Sequence, residues 1–191
     1  MNKSNWENVI KYKLTNKRYV HTLGVAKTAV ILAKKFGEDE EKAYTAAMLH
    51  DYAKCMSIPV QRQFAAKLCD VEYVEGYSKE LLHAFAGAYL AENELQVSDQ
   101  DVLQAIMYHT TGAENMTKLE KIIFLADYIE PNRSFPGVEK AREVVNEDLD
   151  KGMLHVLSQT INYLIEKKQR VFPKTIDAYN YYVLVNKPGG K

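Results

Sequence analysis

Apolar residues recur along this chain at intervals of three and four, the period of a helix with one buried face. "NKRYVHTLGVAKTAVILAKKFG" sets His21, Val25, Thr28, Ala29, Leu32 and Phe36 on one stripe, leaves Lys34 and Lys35 outside it, and closes on Gly37. "DEEKAYTAAMLHDYAK" continues helically from an acidic start that suits a helix N-terminus. "SKELLHAFAGAYLAENEL" opens with Ser78 as its cap. "SDQDVLQAIMYHTTG" pairs Ser98 with Asp101 like a capping box and carries Gly112 near its end. "MTKLEKIIFLADYIEPNR" is a further amphipathic helix, stopped at Pro131. "NRSFPGV" reads as a loop, and one long helix is expected across "NEDLDKGMLHVLSQTINYLIEKKQR". The segment "PKTIDAYNYYVLV" fits either a last helix or a short extended piece. With no paired alternating strands, repeats or low-complexity linkers, the pattern predicts an all-α protein.

The length of 191 residues supports one substantial core, so a single domain is expected over 1–191, with its core at about 15–185 and a flexible tail over 186–191. Lys+Arg and Asp+Glu both number 25, which leaves no bulk positive field to hold a long nucleic acid. Phosphate binding would have to come from local cations. "MNKSNWENVI" has no apolar leader region, and the longest apolar run, "AVILA", is too short to span a bilayer. A cytoplasmic protein without a membrane partner is expected. Cys55 and Cys69 lack any framework spacing and read as two reduced, partly buried thiols. Oligomeric state stays open, and a homodimer is compatible with the sequence.

The chemistry lies on the apolar stripes. His21 heads the stripe His21–Val25–Thr28–Leu32, and His50 aligns with Ala43, Ala46 and Ala47. His83 aligns with Ala86, Gly87 and Leu90, and His109 follows Val102, Ala105 and Ile106. Asp127 falls four residues after Ile123 and three after Phe124, and Asp51 adjoins His50. Residues at i±3 and i±4 are neighbours on a helix, so these polar groups project towards the core. One such histidine is ordinarily a satisfied core residue; four in four helices, with two carboxylates placed the same way, call for another explanation. A buried unpaired carboxylate costs several kcal/mol. A divalent cation at the meeting point removes that cost and accepts the imidazoles as ligands. Imidazole and carboxylate without thiolate suit iron, manganese, cobalt, nickel or zinc. Gly24 and Gly87, one turn after His21 and His83, allow either close approach of another group or tight helix packing. Arg18, Lys54 and Arg133 are spaced to stand beside the proposed ligands and supply the local positive charge that a phosphate needs, and Arg170 is a weaker addition.

These residues form an ordered set. "RYVHTLGV", "AAMLHDYAK", "HAFAGA", "HTTG" and "FLADYIEPNRSFPGV", in this order and spacing, resemble the HD superfamily of metal-dependent phosphohydrolases. Within it they are most similar to the bacterial YqeK-type branch of symmetrical dinucleoside tetraphosphate hydrolases, over roughly residues 15 to 185. The resemblance implies an all-helical HD domain, a site that prefers iron, one ion or two, and cleavage of diadenosine tetraphosphate into two ADP. It assigns His21, His50, Asp51 and Asp127 to the primary metal site. His83 and His109 match positions that either hold a second ion bridged by Asp51 or bind the substrate phosphates. Lys54, Thr110 and Arg133 fall at phosphate contacts, and Arg170 is an outlying addition to them.

The mechanism so implied has metal-activated hydroxide attack an inner phosphorus. Lys54, Arg133 and the cation offset the charge on the transferring oxygens, and His83 or His109 protonates the leaving group where it is not a ligand. The catalytic assignments are therefore Asp51, His83, His109 and Lys54, and Arg18 joins the substrate contacts. Three alternatives remain. Another nucleotide phosphohydrolase or phosphodiesterase of the superfamily is one, although "HDYAK" departs from the "HDxxED" of guanosine tetraphosphate hydrolases. A di-iron oxygenase and a silent nucleotide-binding module are the others.

Overall fold

The computed structural model describes residues 4–187, and these contain eleven α-helices, one 3-10 turn and no strand. The expected all-α architecture is the one observed. Most of the predicted tail, residues 188–191, lies outside the described residues. The helices are α1 (Ser4–Lys11), α2 (Asn16–Phe36), α3 (Glu40–Leu49), α4 (Ile58–Ala65), α5 (Val71–Glu75) and α6 (Leu82–Asn93), followed by α7 (Gln100–Tyr108), α8 (Lys118–Ile129), α9 (Val138–Glu147), α10 (Leu149–Glu166) and α11 (Pro173–Val185).

Helices α2, α3, α7 and α8 form the heart: α3 packs on α2, α7 and α8, and α2 also lies against α8. Helix α6 joins through α7, with α4 packed on its outer side. Helix α10 covers α8 and carries α9 and α11 on its flanks. Close packing around α3 follows from its small residues. Ala43, Ala46 and Ala47 are fully buried, and without larger side chains the neighbouring backbones can approach.

Local signals start and stop the helices. The Thr15 hydroxyl accepts from the Arg18 amide ahead of α2, and Gly37 ends that helix at φ +69°, the left-handed region glycine enters without strain. Asp39 caps α3 through the amides of Glu41 and Lys42. Thr117 and Glu120 form a reciprocal capping box at α8. Pro131 stops α8, as expected, by holding Glu130 extended at φ −53°, ψ 152°. Ser78 does cap, through the amide of Glu80, but the element it opens is the short 3-10 turn Lys79–Leu81 that leads into α6. The ambiguous segment near the C-terminus is helical, as α11.

Four expectations are corrected. Helix α3 ends at Leu49, so His50, Asp51 and Lys54 occupy the turn that follows rather than the helix body. Asp99, not Ser98, caps α7, because the Asp99 carboxylate reaches the amides of both Asp101 and Val102. The single long helix after "NRSFPGV" is two: Asp148 turns extended at φ −157° and caps α10 through Asp150 and Lys151, which separates it from α9. Cys55 is exposed and Cys69 half-buried, both free.

Candidate metal centre

The helix ends build the site. His50 follows α3 and His109 follows α7, where the last carbonyls lack helical partners. The His50 Nδ1 lies 2.6 Å from the Ala47 carbonyl and the His109 Nδ1 lies 2.7 Å from that of Ile106. His83, in the first turn of α6, places its Nδ1 2.6 Å from the Glu80 carbonyl. A carbonyl can only accept, so each Nδ1 carries the hydrogen and each Nε2 presents a lone pair. One backbone device, used three times, sets the tautomer and aims Nε2 inward.

Those nitrogens converge on Asp51. Its Oδ1 lies 3.2 Å from His83 Nε2 and 3.9 Å from His109 Nε2, while its Oδ2 lies 3.6 Å from His50 Nε2 and 3.9 Å from His21 Nε2. The Arg18 guanidinium reaches the same Oδ2 at 2.9 Å. Asp127, near the end of α8, approaches from the other side, with Oδ1 3.0 Å from His21 Nε2. That contact is close but not aligned as a hydrogen bond, and the Nε2 atoms of His21 and His50 are both buried without a hydrogen-bond partner. His83 and His109 bring their Nε2 atoms within 3.1 Å of each other.

The titration of these groups follows from that crowding. Burial works to raise Asp51, but His50, His83 and His109 around it overcome this and hold its carboxyl well below the usual range. Asp127 behaves likewise: burial opposes, and His21, His50 and Arg133 hold it below. His50 is pushed down by burial, and burial with the neighbouring imidazoles takes His109 down to about 3. For His21, burial works downward, but Asp127 and Glu130 hold it above its ordinary value.

His21, His50 and Asp127 can each offer one atom to a common ion, and so can His50, Asp51 and His109; in each trio those atoms lie within 4.8 Å of one another. Two orphaned buried imidazole nitrogens beside two ionised carboxylates, with no thiolate, fit a divalent cation of the transition series.

The predicted cations are placed unevenly. Arg18 and Arg133 both reach the centre. Arg133 donates to the Asp127 carboxylate at 2.6 Å and, through Nε, to its backbone carbonyl at 3.0 Å. The Lys54 ammonium stands 3.4 Å from His83 Nδ1, but the Glu80 carbonyl already occupies that nitrogen, so the 2.8 Å ion pair with Glu80 is its partner. The Thr110 hydroxyl is buried without a partner in a cavity wall shared with His109, Asp127 and Arg133. Arg170 does not join the cluster: it donates to the Gly76 carbonyl and stacks on Tyr77.

Glu130 escaped the sequence reading. Its Oε1 lies 3.1 Å from His21 Nδ1, and its Oε2 accepts from the amide and side chain of Asn132 at 2.7 and 2.9 Å. A Cβ on Gly24 would collide with Oε2, so this glycine serves close approach. At Gly87 a Cβ would meet only ordinary contacts, 3.6 Å to Ile106 being the nearest, which is helix packing. The one local signal for Glu130 is its place before Pro131, which turns it back from the helix.

Known proteins resemble this chain over most of its length. The HD domain family matches residues 18–132. A protein from Halalkalibacterium halodurans described as a symmetrical bis(5'-nucleosyl)-tetraphosphatase is 46% identical over 98% of this chain and 100% of its own. One from Bacillus subtilis with the same description is 45% identical over 91% of this chain and 94% of its own. A crystal structure from Clostridium acetobutylicum, described as a predicted HD superfamily hydrolase involved in NAD metabolism, superimposes with a TM-score of 0.90 at 39% identity, covering 96% of this chain and 97% of that one.

Proposed function

The chain belongs to the HD domain family, and from that membership we propose that it hydrolyses diadenosine tetraphosphate and related dinucleoside polyphosphates symmetrically, releasing two nucleoside diphosphates. The observation that carries this reading is the convergence of four imidazole Nε2 atoms on one buried carboxylate, with Arg18 and Arg133 at the edge of the same cluster.

His21, His50, Asp51 and Asp127 are the proposed ligands of a divalent cation, and iron is the proposed ion. A cation held there supplies Lewis acidity and brings the pKa of a water towards neutrality. The residues supply the rest. Asp51, facing the four imidazoles of the cluster, would serve one ion together with His21, His50 and Asp127, or a second as well with His83 and His109. Arg18 and Arg133 each retain guanidinium donors beyond those given to carboxylates, and these bind phosphoryl oxygens as negative charge spreads over them. Lys54 leaves exposed Glu80 for phosphate, and the partnerless Thr110 hydroxyl donates to the same chain of phosphates. His83, where it is free of metal, is the group that carries a proton to the leaving diphosphate, since burial and the neighbouring imidazoles keep His109 neutral.

We further take residues 1–191 as one HD domain with its core over about 15–185, working in the cytoplasm on small nucleotides rather than on long nucleic acid. A homodimer is compatible with this reading. Among the described residues no helix is long and apolar enough to cross a membrane.

The test is product analysis. Iron-loaded protein incubated with diadenosine tetraphosphate, with and without oxygen, should yield ADP alone by chromatography in both cases. ATP with AMP would establish asymmetrical cleavage, and turnover that requires oxygen would establish a different reaction class.

A further inference from the structure

Helix α9 carries a residue that none of the chemistry above uses. Arg142, in its second turn, has no hydrogen bond or ion pair with a proposed metal ligand among the described residues. Its guanidinium nevertheless gives four of its five N–H groups to one neighbourhood. Nε donates to the Ile129 carbonyl at 2.9 Å. Both hydrogens of one terminal nitrogen go to the carbonyls of Glu130 and Arg133, at 2.8 and 2.9 Å. The other terminal nitrogen pairs with exposed Glu139.

The three carbonyls frame a single turn, Glu130–Arg133. From within, the Arg133 amide closes it on the Glu130 carbonyl at 2.9 Å, and Asn132 donates twice to Glu130 Oε2. At its two ends stand the side chains that hold the cluster from outside. Glu130 Oε1 lies 3.1 Å from His21 Nδ1, and the Arg133 fork holds Asp127. Because α8 ends here, its last carbonyls lack helical partners, and a positive charge alone would suit that helix end. Charge alone does not require three convergent bonds. One rigid nitrogen that donates to both Glu130 and Arg133 fixes the spacing between their backbones. The helix that presents it is anchored in turn, since Val138, Ala141 and Val145 are buried and α9 packs on α8 and α10.

We propose that Arg142 is a positioning residue for the metal centre: by holding the carbonyls of Ile129, Glu130 and Arg133 it fixes the turn that sets Glu130 behind His21 and Arg133 on Asp127. This role rests on the reading of His21 and Asp127 as ligands and extends it to a residue outside the cluster.

The experiment is titration of the metal-free full chain with cobalt(II), read by visible absorption, in wild type, Arg142→Lys and Arg142→Ala. Lysine keeps the positive charge at the end of α8 and loses the planar fork. Both variants should bind cobalt about tenfold more weakly, the lower end of the range for losing a group behind a ligand. In a Glu130→Ala background Arg142→Lys should cost less than it does alone, because one of the side chains it positions is gone. Wild-type cobalt affinity in Arg142→Lys would overturn the proposal by showing that charge suffices, and this variant decides the matter even where Arg142→Ala does not fold. Full additivity with Glu130→Ala would overturn it too. Hydrogen exchange on the metal-free proteins reads the turn itself. The Asn132 and Arg133 amides should exchange faster in Arg142→Lys while those of α3 keep their wild-type rates, and unchanged exchange at both would overturn the brace. A wild-type chain that bound no cobalt would count against the metal centre, and the exchange rates would still judge the hold of Arg142 on the turn.

Discussion

Glu130 Oε1 stands 3.1 Å from His21 Nδ1, on the side of the ring away from Asp127 and Asp51. The carboxylate is buried and pinned by Asn132, so it fixes both the ring plane and the hydrogen on Nδ1, which leaves Nε2 as the proposed ligand atom. Glu130→Ala should lower metal affinity about 10–100-fold, the usual effect of losing a carboxylate behind a ligand histidine. Glu130→Gln, which can still accept from Nδ1–H, should retain most of it. Gly24→Ala should reproduce the alanine phenotype by displacing the carboxylate. Metal titration on well-folded protein measures all three, and wild-type affinity in Glu130→Ala would remove this role.

Asp51 is the residue that four of the five imidazoles face, with their Nε2 atoms between 3.2 and 3.9 Å from its oxygens and Arg18 at 2.9 Å. Asp51→Ala should abolish metal binding and turnover together. Elemental analysis and product chromatography on one sample check it. A metal-loaded, fully active variant would sink the assignment.

The metal-free protein should lose stability as acid is added, and the sign follows from burial. His109 is held at about 3 against an ordinary 6.5, and His50 is lowered too. Below pH 6.5 the unfolded chain takes up protons that these folded histidines refuse, so stability falls between 6.5 and about 3. His21 is shifted the other way and opposes: its contribution is complete below 6.5 and lost as pH rises. His155 is lowered by burial as well, and three lowered histidines against one raised leave a net loss. Melting temperatures of the apo protein should drop across that range, and His109→Gln should flatten the slope. A melting temperature that rises towards pH 5 would contradict this.

Legibility in the sequence divides by range. His21, His50, His83, His109 and Asp127 were readable because a polar residue on an apolar stripe breaks a strong periodic signal; four sit on or just beyond helices of the heart, and His83 on α6, which adjoins it. The stop after Leu49 was not readable: "HDYAK" continues the composition of a helix, and the turn is imposed by His50 capturing the Ala47 carbonyl. The break at Asp148 hid in the same way, since "NEDLD" reads as an acidic helical run until one aspartate is seen to cap. Glu130 gave only its place before Pro131, because its partner lies 109 residues away. The partners of Arg170 were hidden for the same reason, since the Gly76 carbonyl it donates to lies 94 residues away and the Tyr77 ring it stacks on is next to that.

Arg133 separates charge from geometry. Its fork holds Asp127 at two points, the carboxylate at 2.6 Å and the backbone carbonyl at 3.0 Å, which places it beside a proposed ligand without occupying all its donors. A lysine keeps the charge but offers no planar fork, so it cannot hold Asp127 and a phosphoryl oxygen at once. Arg133→Lys should therefore lower kcat/KM for diadenosine tetraphosphate about 10–100-fold, the loss of roughly 1.4–2.7 kcal/mol of transition-state interaction. Metal content should stay near wild type, because the ligands themselves are intact. Arg133→Ala should fall further and also weaken metal binding, since Asp127 then loses its only charged partner other than His21 among the hydrogen bonds and ion pairs of the described residues. Steady-state kinetics with metal analysis on the same preparations decides it: full activity in Arg133→Lys would reduce Arg133 to a simple counter-charge.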